Sequence, residues 1–201
     1  MKIPDAVALT TGVQSLRATA GAVLGAPGGL FAGPAETFDA VLTIDDDASV
    51  SGELLTPGAS HRAVVTAGPD RPGSQPRMLC LKVPDAYGAG RDQDFLLASS
   101  GDGAPLHHAV LPAAPVAPLY SSLWLYLAGW EPVLFGVCPP VTGHDVRFGV
   151  GDELGFMVSP PVGRFRRVGA VKLTGVAEGR PPFSGANSGG GIRALPPVLF
   201  Y

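Results

Sequence analysis

Phe38-Asp39-Ala40-Val41-Leu42-Thr43-Ile44 is the stretch that decides the fold. Apolar side chains recur at 38, 40, 42 and 44, a period of two. In an extended chain that period puts one set of side chains on a buried face and the other outside. Working toward the N-terminus, the period changes. Val7, Leu9, Val13, Leu16, Ala20, Val23 and Leu24 fall near one face at helical spacing, and Gly25-Ala26-Pro27-Gly28-Gly29 stops the pattern. The expectation is an N-terminal amphipathic helix over 5–24.

Toward the C-terminus the acidic turn Asp45-Asp46-Asp47 precedes Ser49 to Leu55, read as the returning strand of a hairpin. Further strands are expected at His61 to Ala67, Met78 to Val83, Asp94 to Ser99, Val133 to Cys138, Leu154 to Val158 and Arg166 to Val176. Another is expected at Val146 to Val150, turning through Gly151-Asp152. Tyr120 to Trp130 is the most aromatic run, and a short buried helix is preferred there over a strand. Eight or so short strands with few helices predict a mostly β chain with minor α, folded as an antiparallel β-barrel. The division is a helical segment at 1–30 and a barrel domain at 31–201.

The composition narrows the partners. Only 15% of the 201 residues are charged and the formal net charge is −3, so no basic surface for nucleic acid is expected. The sparse charge is compatible with surface hidden in a homo-oligomer. No apolar run of membrane-spanning length occurs, and Met1-Lys2-Ile3-Pro4-Asp5 does not begin a secretory leader; the expected location is cytoplasmic. Cys80 and Cys138 lie within apolar runs and read as buried free thiols. The 28 Gly and 21 Pro read as turn-makers between strands rather than as disorder, given the Phe, Val and Leu spaced among them.

Candidate chemistry is thin. Ala186-Asn187-Ser188-Gly189-Gly190 echoes a nucleophile elbow, but no strand precedes it and Pro196-Pro197 follows, so a turn is expected. Gly149, Gly151 and Gly155 have the wrong spacing for a dinucleotide loop and suit a hairpin. His107, His108 and His144-Asp145 are read as loop residues, because adjacent histidines on a strand point to opposite faces. No metal is expected. Asp92, Asp94 and Asp102 are read as solvated turn carboxylates, and Arg164, Arg166 and Arg167 as a solvent-facing strand edge.

His61-Arg-Ala-Val-Val65, Lys82 to Ser100 (Lys-Val-Pro-Asp-Ala-Tyr-Gly-Ala-Gly-Arg-Asp-Gln-Asp-Phe-Leu-Leu-Ala-Ser-Ser), Tyr120-Ser-Ser-Leu123 and Asn187-Ser-Gly-Gly-Gly-Ile-Arg193 together resemble a group of small catalase-like proteins common in actinobacteria. The likeness covers residues 38 to 201. It implies the catalase β-barrel, which in the full enzyme buries a haem held by a Tyr, with an Arg four residues before it and a distal His and Asn. By that comparison Tyr201 falls near the ligand position, with Arg193 the nearest arginine. Pro197 stands where the Arg should be. No His occurs between Phe38 and Ser60, and Ser99 and Ser100 occupy the region of the distal Asn. Peroxide breakdown needs a base to move a proton between oxygens, and that base is missing.

Three readings follow. The first is a haem-free barrel that binds or transforms a small, mostly apolar molecule, in secondary metabolism, in a pocket walled by Phe95, Trp124, Tyr126, Trp130 and Phe135. The second is a haem protein, with Tyr201 on the iron and Arg193 beside it, acting on a lipid hydroperoxide or a related substrate. The third is a non-catalytic partner-binding domain.

Overall fold

The computed structural model describes residues 35–68, 76–112, 119–122, 125–140 and 148–195. The expected helix at 5–24, Trp124, the His144-Asp145 pair and Tyr201 lie outside the described residues.

Ten strands are present among the described residues: β1 Glu36–Ile44, β2 Ser60–Ala67, β3 Met78–Val83, β4 Gln93–Ser100, β5 Leu119–Ser121, β6 Leu125–Ala128, β7 Glu131–Cys138, β8 Glu153–Ser159, β9 Arg166–Val176 and β10 Ile192–Leu195. In β1 the alternation holds as expected: Phe38, Ala40, Leu42 and Ile44 are buried, while Val41 and Thr43 are exposed. Every strand pair is antiparallel. The neighbours run β1-β2-β3-β4-β5-β7-β8-β9 and return to β1, closing an eight-stranded barrel. Two register shifts, at Asp39/Ala40 in the β1–β9 pair and at Phe156/Met157 in the β8–β9 pair, supply the local bend that closure requires. No helix among the described residues is long and apolar enough to cross a membrane.

Three local expectations are corrected. The run from Tyr120 to Trp130 holds no described helix: it gives β5, β6 and a turn at Gly129-Trp130. An apolar run satisfies a buried helix and a strand buried on both faces equally well, and β5 is buried at every position. Ser49 to Leu55 is not a strand either. Gly52 has φ +146, a 3-10 turn spans Glu53–Leu55, and Leu54 and Leu55 enter the core, so β1 takes β2 as its partner through Thr43 and Ser60. The described part of the expected strand at Val146 to Val150 is loop and turn. Asp152 Oδ2 accepts from the Gly149 amide at 2.8 Å, and Gly151 takes φ +99.

β5 and β6 take successive parts of the same β7 edge. Both pair with β7 on one side; on the other, β5 takes β4 and β6 takes β10. Gly136 sits at this junction because a Cβ there would lie 2.7 Å from the Phe165 ring and 2.9 Å from the Tyr120 carbonyl oxygen.

Inside the barrel, Phe95, Tyr126, Phe135 and Phe156 meet ring to ring. Phe95 lies 4.8 Å from Phe135, 5.6 Å from Phe156 and 6.0 Å from Tyr126, and Tyr126 lies 5.4 Å from Phe135. An eight-stranded barrel is about wide enough for its own side chains to fill. Truncating a buried Phe removes apolar area and leaves a cavity, costing roughly 3–5 kcal/mol. Phe135→Ala is therefore expected to lower the denaturant midpoint by an amount equivalent to about 3–5 kcal/mol at unchanged m-value. A loss near that of a surface substitution in urea unfolding would show that the ring is not part of a closed core.

Candidate functional site

A buried charged cluster lies on the outer face of β3 and β4. Leu79, Leu81, Val83, Phe95 and Leu97 point into the barrel, so by alternation Cys80, Lys82, Asp94 and Leu96 point out. They are nevertheless buried, because the segment after β9, residues 177–191, crosses over them. Phe183 packs on the Met78, Cys80 and Leu96 cluster, with its ring centroid 5.5 Å from Lys82 Nζ.

Asp94 is fully buried, which corrects its reading as a solvated turn carboxylate. Its Oδ2 accepts from Lys82 Nζ at 3.1 Å, from the Ser184 amide at 2.8 Å and from Asn187 Nδ2 at 2.8 Å. Its own amide donates to the Asn187 carbonyl at 3.0 Å. Oδ1 lies 2.9 Å from Nζ as an ion contact without hydrogen-bond alignment. Lys82 reaches a second carboxylate, Asp92 Oδ2, at 2.8 Å. A buried ammonium survives only with such partners.

The acid–base balance follows. Burial pushes the Asp94 carboxyl above its ordinary value, opposed by Lys82, Ser184 and Asn187. Burial opposes the Lys82 ammonium, but its hydrogen bonds to Asp92 and Asp94 outweigh that and hold its pKa above the ordinary lysine value. The Lys82 hydrogen bond, with the Asp85 amide, holds Asp92 below the usual carboxylate range. Covered by residues 177–191, this cluster is closed to a diffusing substrate as the structure stands.

The Ser188 stretch is a turn, as expected. Gly189 and Gly190 approach the Tyr87 ring too closely to carry a Cβ, and the Tyr87 hydroxyl donates to Gln93 Oε1 at 2.9 Å. A Cβ at Gly190 would collide with that ring, and its φ of +53 favours glycine independently.

The histidines do not form a strand pair. His107 and His108 sit in a 3-10 turn, Leu106–His108, and both rings turn to the Pro161 carbonyl, at 3.0 and 3.5 Å. Burial, then the neighbouring His108, lowers the His107 pKa. His61 Nε2 meets the Leu54 carbonyl at 3.0 Å. Among the described residues no three His, Cys, Asp or Glu side chains are placed to hold a metal. The arginines diverge: Arg164 faces Asp102 at 3.8 Å, Arg166 the Ser49 carbonyl, and Arg167 both Asp45 and Glu153. They form no anion clamp.

Of the five expected pocket residues, Phe95, Tyr126 and Phe135 come together, as mutually packed rings of the barrel interior. Trp130 does not join them: it stands 89% exposed at the β6–β7 turn. Arg193 is exposed on β10. The described interior is filled by its own rings, and the exposed Arg193 stands apart from them.

A space of ligand size lies elsewhere, at the end of the barrel where β1 begins and β9 ends. It is a groove of about 680 Å3 with Ala35, Phe38, Phe148, Val150 and Val176 on its walls and Arg180 at its margin. The Arg77 guanidinium lies 4.5 Å from the Phe148 ring centroid, and its Nε donates to the Gly68 carbonyl at 2.7 Å. Sequence reasoning missed this groove because its wall comes from three separate chain segments with no shared pattern.

Two predictions follow from this site. Cys80 is buried and its thiol is pushed up to about 12, while Cys138 is half-buried and raised less. Without denaturant, a thiol reagent should modify Cys138 first and leave Cys80 intact until the protein unfolds; rapid modification of Cys80 would contradict its burial. Asp92 has a depressed folded pKa, so its contribution is present above the unfolded value and is lost as pH falls through the folded one. Urea unfolding of Asp92→Asn should accordingly lack part of the acid-side decline seen in the native sequence; identical declines would show that the Lys82 contact does not couple to stability.

A scan against protein-family models finds no match, and no curated protein matches the chain.

Proposed function

We propose that this chain is a catalase-like barrel that acts as a binding module for a small, mostly apolar molecule, without haem and without peroxide breakdown. The observation that carries the reading is the groove beside Phe38 and Phe148. Its volume of about 680 Å3 falls in the range of small-molecule sites, and Phe38, Phe148, Val150 and Val176 line it beside the polar Glu36, Thr37 and Arg180. The barrel interior offers less, because four aromatic rings occupy it. The closed β-barrel and the convergence of the resembling stretches 82–100 and 187–193 on one another support the catalase-like assignment. The missing distal His and Asn, and Pro197 in place of Arg, argue against peroxide breakdown.

An exposed Trp130 favours the partner-binding reading as the second choice, since a large aromatic at a turn tip is a common anchor in interfaces.

The test is titration with an apolar fluorescent probe. Val150 and Val176 are 56% and 74% exposed, so Val150→Glu and Val176→Glu should leave folding intact. Each is expected to weaken probe binding at least several-fold, whereas Trp130→Ala is expected to leave it unchanged. Unchanged binding in both valine variants would remove the groove from consideration. A stoichiometric Soret band in the purified protein would replace this reading with the haem one.

A further inference from the structure

One arrangement in the molecule has the parts of a chemical reaction within the chain itself. Asp94 Oδ2 touches the Lys82 ammonium at 3.1 Å and the Asn187 side-chain nitrogen at 2.8 Å. An ionised carboxylate can only accept, so the Asn187 group facing it is its NH2, the group that leaves when an asparagine amide is attacked. Nucleophile, proton relay and leaving nitrogen thus meet around one oxygen atom. We propose that Lys82 and Asn187 join spontaneously in a side-chain amide, an isopeptide bond that fastens residues 177–191 to the barrel wall.

The step balances without any co-reactant. Lys82 Nζ gives a proton to Asp94, and the neutral amine attacks Cγ of Asn187. Asp94 passes that proton to the departing nitrogen, the attacking nitrogen gives up a second proton that follows the same route, and the C–N bond of the side-chain amide breaks. An ammonium ion leaves, Lys82 Nζ and Asn187 Cγ share the new amide, and Asp94 returns to its ionised form. Two carboxylates keep Lys82 in its ammonium form at rest, so the reactive amine exists only while Asp94 carries the proton. Burial of Asp94 favours that protonated state.

Three features of the site promote the step. Positioned intramolecular groups react as though present at about 10⁵–10⁸ M, which offsets the tendency of amides to hydrolyse in water. The Phe183 ring and residues 177–191 cover the cluster, and Asp94 is fully shielded from solvent. Replacing a buried ammonium by a neutral amide also removes a desolvation cost. Asp92, at 2.8 Å from Nζ and 27% exposed, is a holding partner that keeps the amine beside the relay.

Intact-mass spectrometry of the purified full chain decides the matter. The expected result is a folded protein lighter than its sequence by one ammonia, with a branched peptide containing both Lys82 and Asn187 after digestion. Lys82→Arg keeps a cation against Asp94 and should fold with no mass loss; Asn187→Ser should also keep its full mass. Full mass in the native sequence after long incubation, with cooperative unfolding intact, overturns the proposal. So does ammonia loss that persists in Lys82→Arg or maps to Asn187 alone, which would be a cyclic imide. Loss of water instead of ammonia would place the bond on a carboxylate and would also overturn it.

Discussion

Closure at eight strands is the constraint on which the rest of the structure depends. A barrel of that size has an interior about as wide as two facing layers of side chains. Here Phe95, Tyr126, Phe135 and Phe156 take that space, with centroid separations from 4.8 to 6.0 Å. What might have been a chamber becomes the core. Open space and buried polar groups lie instead at the barrel's ends, where strands finish and side chains have no facing partner, and on the outer wall. The groove at the start of β1 is of the first kind and the Lys82 cluster of the second.

Closure also explains why an ion pair is buried on the outside of a barrel. β5 and β6 divide one strand's worth of pairing, and β10 must reach the β6 edge from the end of β9. The chain makes that journey across β3 and β4. Along the way it meets Asp94, whose backbone and side chain both bond Asn187, then Tyr87, whose ring supports Gly189 and Gly190. Lys82 and Asp94 are direct cross-strand partners in the β3–β4 pair. The two stretches on which the family resemblance most depends therefore touch one another along the route of the chain.

The fold was legible wherever one face of a strand is buried and the other wet. β1 shows this best, with Phe38, Ala40, Leu42 and Ile44 inside and Val41 and Thr43 outside. Legibility failed where both faces are covered. β5, all buried, is indistinguishable by period from a helix turn, and β3 and β4 read as plain apolar strands although their outer residues lie under a second layer. Asp94 illustrates the cost: beside Asp92 and Gln93 it looks like a hydrophilic strand entry. Nothing local in the sequence announces that Ser184 and Asn187 will arrive to bury it. The groove is illegible for the same reason, since Phe38, Phe148 and Val176 become neighbours only through the β1–β9 register and the turn at Gly149.

A buried ion pair such as Lys82–Asp94 is weak grounds for stability, since matched apolar residues often serve as well. Its value lies in specificity. The same outer face also carries Met78, Cys80 and Leu96, an apolar strip on which many segments could slide. A carboxylate that must receive the Ser184 amide and the Asn187 side chain accepts one register of residues 177–191 and penalises others by leaving a buried charge under-solvated. That register is what delivers Ile192 opposite Ala128, where β10 begins. Docking of the connecting segment and pairing of β10 are then one event, with the buried charge setting where it occurs.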